Sequence, residues 1–103
     1  MKPDMGVFFI RANFNNKCYL ESTGDLKGTI NGTKFKLGAG IHPNRELQED
    51  WKKHGAGNFN IEVLEVLEYD GDASTTDFTE DLALLKMIWE EKLLKQKMEF
   101  YKR

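Results

Sequence analysis

Two short apolar runs separated by a polar turn open the chain and predict a β-hairpin. The first run, residues 7–10, consists of β-branched and aromatic residues, which favour a strand. Residues 13–16 supply asparagine side chains that favour a turn, and residues 18–20 begin the second run. The pattern therefore predicts two antiparallel strands joined by an asparagine-containing turn.

A first helix is predicted to follow the hairpin, although its composition is unfavourable. Residues 22–25 can turn the chain and cap a helix, and apolar residues recur in the polar stretch that follows. Gly28 and Gly32 each weaken a helix by about 1 kcal/mol relative to alanine. This segment is therefore predicted to be either irregular or a helix held by packing, and to break at residues 38–40.

The strongest helix signal lies between residues 42 and 54. Pro43 is expected at the helix start, and Leu47 and Trp51 lie four apart on one face. Basic residues fill the last turn before Gly55, which favours the helix dipole and allows a left-handed cap. A third strand is then predicted over residues 58–67.

Within the third strand, the alternation of apolar and polar residues shifts phase at Leu64. This shift predicts either a β-bulge or a strand buried on both faces. A polar loop follows, and Asp77 and Glu80 then form a capping box for a long amphipathic helix. The core-facing stripe of this helix is predicted to be Phe78, Leu82, Leu85, Trp89 and Leu93. Further apolar side chains widen the surface and are predicted to be buried within the monomer rather than in a dimer: Leu84, Met87, Ile88, Leu94 and Met98.

Together these elements predict one small α+β domain over residues 1–103, with a three-stranded antiparallel sheet flanked by helices in the order β-β-α-α-β-α. The last residues, about 94–103, are expected to form a basic helix end matched to the helix dipole. At 103 residues with 40% hydrophobic content, the chain can bury one core and has no room for a second domain.

Charge and cysteine content narrow the function classes only slightly. The net charge of −2 and the isoelectric point near 5.7 argue against indiscriminate binding to nucleic acids, although a local basic patch could coexist with them. Cys18 has no partner for an intramolecular disulfide and is expected to be a buried apolar side chain. Without a leader or an apolar run of about 18 residues, the chain is expected to be cytoplasmic and to make no membrane contact.

The acidic loop around Asp70-Gly71-Asp72 superficially resembles a calcium-binding fragment. An EF-hand loop requires further ligands up to a bidentate glutamate at position 12, and those ligands are absent here. No metal site is therefore predicted in this loop.

The order of the elements and several short motifs resemble the GIY-YIG nuclease family. The hairpin motif corresponds to Gly6-Val7-Phe8 and Tyr19-Leu20-Glu21. The likeness covers roughly residues 5 to 93 and continues at family spacing through His42-Pro43-Asn44, Leu47-Gln48, the run from Asp50 to Gly55, Asn58-Phe59 and Val63-Leu64-Glu65. The resemblance implies a GIY-YIG-like fold and a relationship to enzymes that cleave phosphodiesters.

The resemblance also identifies positions where the chemistry differs. In the family, a hairpin tyrosine helps to activate water, an arginine on the first helix binds the phosphate, and a glutamate on the long helix holds a divalent metal. These positions are implied to be Phe8 and Tyr19 for the hairpin tyrosines, Thr29 for the arginine and Lys86 for the glutamate, while His42 matches a histidine of some members. Family members use Mg²⁺, whereas a lysine in place of the glutamate implies that no metal is bound.

Three hypotheses follow, and the sequence leaves open whether the chain is an enzyme. The first is a catalytically degenerate GIY-YIG-like domain that binds nucleic acid weakly, or another protein, as a regulatory module. The second is an atypical endonuclease in which Glu21 acts as a base with Tyr19 and Lys86 replaces the metal charge. The third is a structural or homodimeric interaction protein. Basic candidates for nucleic-acid binding, which a solvated surface explains equally well, are Lys27, Lys34, Lys36, Arg45, Lys52 and Lys53.

Overall fold

The computed structural model describes residues 4–67 and 78–101. Within these ranges the chain forms four strands and three α-helices, with one short 3-10 turn at Ala56–Asn58. The elements are β1 (Met5–Ala12), β2 (Lys17–Thr23), α1 (Leu26–Ala39), α2 (Arg45–His54), β3 (Phe59–Leu67), α3 (Thr79–Lys95) and β4 (Glu99–Phe100). The predicted α+β class and the order of the first six elements are confirmed.

The sheet contains one strand more than the sequence predicts. Its order is β3-β1-β2-β4; β1 pairs antiparallel with both β2 and β3, and β4 pairs parallel with β2. The prediction of three antiparallel strands is therefore correct for β1, β2 and β3. A two-residue parallel strand, β4, adds to the sheet at the β2 edge.

This fourth strand corrects the prediction of a helical end at residues 94–103. The helix α3 ends at Lys95, and Lys97 takes a left-handed conformation with φ of 64°. The reversal allows Met98 and Tyr101 to become buried, and the Tyr101 amide donates to the Cys18 carbonyl at 3.0 Å. Burying these two side chains outweighs the continuation of an exposed helix.

Side chains on the two faces of β1 alternate between two separate cores. One face packs against α1 and α2 and contains Phe8, Ile10, Ala12, Leu26, Leu37, Leu47, Phe59 and Tyr101. The other face packs against α3 and contains Val7, Phe9, Cys18, Leu20, Leu85, Leu93 and Met98. Because both faces of β1 are covered, its sequence reads as a continuous apolar run.

The predicted bulge in β3 is confirmed by the strand register. Val7 pairs with Glu65 while Phe8 pairs with Val63, so Leu64 is the additional residue. Gly6 in β1 lies next to this irregularity, and a side chain at that position would collide with the Glu65 carbonyl oxygen. Glycine is therefore required by the close approach of β3 rather than by an unusual φ angle.

The first two helices are regular and well capped. The Asp25 carboxylate accepts from the Gly28 amide at 3.0 Å, and α1 is held by buried Leu26 and Leu37, in agreement with a helix stabilised by packing. The helix α2 begins at Arg45, two residues after the predicted start at Pro43, because the Asn44 side chain is the N-cap.

The helix α3 differs from its prediction on its solvent side. Leu85 and Leu93 are buried as expected, and so is Met98, but four apolar residues predicted to be buried are exposed: Leu84, Met87, Ile88 and Leu94. The N-cap residue is Phe78, which makes no side-chain capping bond, and Asp77 lies outside the described residues. Across residues 4–67 and 78–101, no helix is both long and apolar enough to cross a membrane.

Candidate functional site

A groove runs along the outer edge of β2. The short β4 pairs only with Lys17 and Cys18, so the rest of this edge carries no neighbouring strand among the described residues. Two adjoining hollows of about 420 and about 330 Å³ lie there and share Tyr19, Glu21 and Pro43 as lining residues. We call the combined depression the β2 groove.

One wall of the β2 groove is the face of α1 that carries small residues. Its lining residues recur at helical spacing and are Gly28, Thr29, Gly32, Thr33 and Lys36. At about 100° per residue, Lys27 and Lys34 lie on the opposite side of the helix. Gly32 therefore leaves open space on the groove side of α1, and Lys36 is the cation that this wall contributes.

The other wall is built from α3 and the C-terminal segment. It contributes Lys86 and Glu90 from the helix, and Phe100 and Tyr101 from the segment that includes β4. The Tyr101 hydroxyl donates to Asp50 at 2.9 Å, which connects this wall to α2. Burial and the neighbouring Asp50 carboxylate raise the pKa of the Tyr101 hydroxyl, so that it remains a proton donor.

The floor of the groove holds Tyr19 and Glu21 on the same side of β2. The Tyr19 hydroxyl donates to the Glu21 carboxylate at 3.4 Å, a long hydrogen bond. Burial raises the pKa of the Glu21 carboxyl, and the Tyr19 bond together with the Lys86 and Lys36 charges partly offsets this rise. Glu21 is thus a carboxylate between two cations, one on each wall.

His42 lies beside Tyr19 at the entrance to α2, with its ring edge-on to the tyrosine ring and 5.3 Å between centroids. Its Nδ1 accepts from the Asn44 amide at 3.0 Å, and the buried ring has a pKa lowered by desolvation and by Lys36. His42 therefore serves the local helix entry and lines the groove at the same time.

Thr29 occupies the position where the resemblance implied an arginine. Its hydroxyl lies 2.6 Å from the Thr23 hydroxyl, so it is already hydrogen-bonded across the turn between β2 and α1. A hydroxyl with a local partner offers a substrate neither charge nor a bidentate pair of donors.

The structure gathers four of the five family positions into one place. Tyr19, Thr29, His42 and Lys86 all line the β2 groove, whereas the Phe8 ring is fully buried in the core. Of the basic candidates, Lys36 lines the groove and the following do not: Lys27, Lys34, Arg45, Lys52 and Lys53.

Sequence reasoning assigned no role in a groove to several lining residues, namely Asn44, Glu90, Phe100 and Tyr101. Three of them, Glu90, Phe100 and Tyr101, lie on α3 or after it. They are far from β2 in the sequence, and only the folding of the chain brings them next to this strand. The capping role of Asn44 could have been found, because an asparagine two residues before the acidic Glu46 is typical of an N-cap.

The donor set of the groove does not fit a magnesium ion. Its carboxylates are Glu21, Asp25 and Glu90, and the Asp25 carboxylate is already used in capping α1. Among the described residues, no three side chains of histidine, cysteine, aspartate or glutamate come together as a possible metal site. The ammonium group of Lys86 would also oppose a divalent cation.

Comparison with solved structures decides the fold. The catalytic domain of the homing endonuclease I-TevI matches with a TM-score of 0.73 and 22% sequence identity, over 96% of this chain and 99% of that one. A mutant of the catalytic domain of the intron endonuclease I-TevI matches with a TM-score of 0.72 and 23% identity, over 96% and 92% of the two chains. The chain has a GIY-YIG-like fold. No protein-family model and no curated protein sequence matches it.

With the fold established, the β2 groove can be described as an edge groove of a GIY-YIG-like domain. The strand β2, the helices α1 and α3, the loop before α2 and the C-terminal segment line it, and Tyr19 lies at its base. At 22–23% identity the likeness concerns the fold, and the chemistry must be argued from the side chains present in this chain.

Proposed function

We propose that the β2 groove binds the phosphate backbone of a nucleic acid without cleaving it, and that the domain acts as a binding or regulatory module. The observation that carries this proposal is the position of Lys36 and Lys86, one ammonium group on each wall of the groove. Ammonium groups bind phosphates as point charges. The fold neighbours are catalytic domains of an endonuclease, which favours a nucleic acid as the ligand.

The side chains at the positions that the resemblance implies to be catalytic argue against phosphodiester cleavage. Loss of one preorganised donor typically lowers a rate by about 10²–10³, and loss of a metal removes several kcal/mol more of transition-state stabilisation. Phe8 has no hydroxyl, Thr29 has no charge, and Lys86 replaces the carboxylate implied for the metal. We therefore propose that the domain works without Mg²⁺ and has no nuclease activity.

Binding is expected to be weak because the groove is close to neutral. Glu21, Asp25 and Glu90 lie along it together with the two lysines, and the whole chain has a net charge of −2. A phosphate approaching Lys36 and Lys86 must also approach the Glu21 carboxylate. Affinity is therefore expected to be measurable at low salt and to fall steeply as salt rises.

The proposal is tested by titrating labelled single-stranded DNA, duplex DNA and RNA at several salt concentrations. Replacing Lys36 and Lys86 together with glutamine should weaken binding and reduce the salt slope on duplex DNA by about 0.9 for each lost phosphate contact. The matched control is the double variant Lys27→Gln and Lys34→Gln, which removes the same charge from the far side of α1. Equal effects of the two double variants, or no binding to any of the three ligands, would refute the proposal.

A second candidate function is supported by the contact between Tyr19 and Glu21. A carboxylate with a raised pKa, next to a tyrosine hydroxyl and near Lys86, could act as a general base for a metal-independent phosphodiesterase. In this case plasmid nicking in the presence of a chelator should be lost in both Tyr19→Phe and Glu21→Gln. Nicking that persists in both variants would indicate a contaminating nuclease.

A further inference from the structure

The solvent side of α3 carries an apolar stripe that the fold itself does not use. Its exposed side chains are Leu84 (58%), Met87 (61%), Ile88 (42%) and Leu94 (57%). At about 100° per residue, they lie opposite the face of Leu85, Trp89 and Leu93 that packs on the sheet. The helix is therefore apolar on two faces, which is unusual for a helix with one side in water.

The remaining parts of this sequence do not match such a stripe. Residues 1–3, 68–77 and 102–103 together contain few apolar side chains and are dominated by charged and small polar ones. Charges of both signs border or interrupt the stripe, with Asp81 and Glu91 as well as Lys95, whereas membrane-surface helices carry mainly basic residues beside their apolar face. Its occupant must therefore offer an apolar face with a complementary pattern of charge.

A second copy of α3 in the antiparallel direction meets this requirement. An acidic residue, Asp81, lies at the N-terminal end of the stripe and a basic residue, Lys95, at the C-terminal end; both are exposed. A two-fold axis at Ile88 would place Asp81 directly opposite Lys95 of the second copy and Leu84 within two residues of Leu94 of the second copy. A parallel copy would instead place like charges together.

We propose that the stripe is a homodimer interface in which two α3 helices pack antiparallel about an axis near Ile88. Each copy contributes four apolar side chains, so the interface is small and the dimer forms only at high protein concentration. Glu91 is the charged residue in the middle of the stripe and weakens the contact, because its carboxylate must leave water or bend aside.

The dimer would leave the β2 groove accessible. Lys86 and Glu90, which line the groove, lie on the flanks of α3 away from the centre of the stripe. A dimer would therefore carry two grooves, and a ligand that spans both would bind more tightly than a ligand that fills one. This consequence rests on the proposed function, whereas the dimer itself does not.

Sedimentation velocity over a range of concentrations tests the interface. Wild type should show a reversible monomer–dimer equilibrium, Ile88→Lys should weaken it by at least about tenfold, and Glu91→Leu should strengthen it. The matched control is Phe35→Lys, which introduces the same change at a position 71% exposed on α1 and should leave the equilibrium unchanged. A wild type that stays monomeric, or association insensitive to Ile88→Lys, would overturn the proposal.

The antiparallel direction has its own test by cysteine cross-linking. Cys18 is fully buried and burial raises its pKa to about 11, so a single added cysteine is the reactive thiol. A short bismaleimide should link Ile88→Cys to its counterpart but not Leu94→Cys, whose two copies would lie about 15 Å or more apart along the axis. Equal cross-linking of both variants would contradict the antiparallel arrangement even if a dimer forms.

Discussion

Glu21 is the residue at which the groove departs most from a simple anion-binding site. It lies on the floor between Lys36 and Lys86, and its carboxylate accepts from Tyr19 at 3.4 Å. Its charge both balances the two lysines and repels a phosphate. The identity of this single side chain therefore affects stability and binding in directions that can be measured separately.

Glu21→Gln is expected to raise the free energy of unfolding at pH 7. The pKa of the Glu21 carboxyl in the folded state lies above the ordinary value of 4.5. The group therefore contributes most to folding stability at low pH, and this contribution is lost as pH rises through the folded-state pKa. The advantage of the variant should therefore shrink towards pH 4, as chemical denaturation at both values would measure. Glu62→Gln on exposed β3 is the control, and an equal change in both variants would argue against burial as the cause.

The same variant should bind nucleic acid more tightly than wild type, because the remaining lysines would then act without an opposing charge. Glu21→Gly is expected to act in the same direction, since it also clears space for the backbone of the ligand. Unchanged affinity in both variants would mean that the ligand does not occupy the β2 groove.

At the scale of the elements, α1 explains why a sequence poor in helix formers becomes a regular helix. Gly28 allows the Asp25 carboxylate to cap the helix, because a side chain there would collide with that carboxylate. Gly32 has no neighbour within 4 Å of the position a Cβ would take. The two glycines therefore have different structural roles.

Gly32→Ala is expected to stabilise the protein by about 1 kcal/mol through helix propensity. Gly28→Ala should gain nothing, because the same propensity is offset by disturbance of the Asp25 cap. Urea denaturation of the two variants side by side measures this difference. If both alanines stabilised the protein equally, the cap would not be the reason for Gly28.

The sequence predicted those elements whose signals are local. The turn asparagines, the proline and basic residues around α2 and the phase shift at Leu64 all describe contacts within one element or one strand pair. The strand β4 could not be found in this way, because two residues cannot show a period and their pairing depends on Cys18, about eighty residues earlier. The exposure of Leu84 and Ile88 could not be predicted either. An amphipathic pattern shows which residues share a helix face, but it does not show whether another element covers that face.

At the scale of the whole molecule, the order and lengths of the strands create the β2 groove. The short β4 stops after two pairs with β2, and the open edge beyond it becomes the groove between α1 and α3. Sequence resemblance identified the positions Tyr19, Thr29, His42 and Lys86, but only the fold brings them together with Phe100 and Tyr101. The GIY-YIG-like fold, together with Thr29 and Lys86 at positions where the resemblance implies an arginine and a glutamate, is what leads us to propose binding without cleavage.

The most direct measurement of this claim uses one sample of supercoiled plasmid with Mg²⁺ at low salt. Binding is scored by gel shift, and nicking is scored after the protein has been removed. We expect the plasmid to be retarded by wild type, less retarded when Lys36 and Lys86 are both glutamine, and still supercoiled after deproteination in every case. Nicking by wild type that Tyr19→Phe abolishes, or the absence of any retardation at low salt, would contradict this expectation.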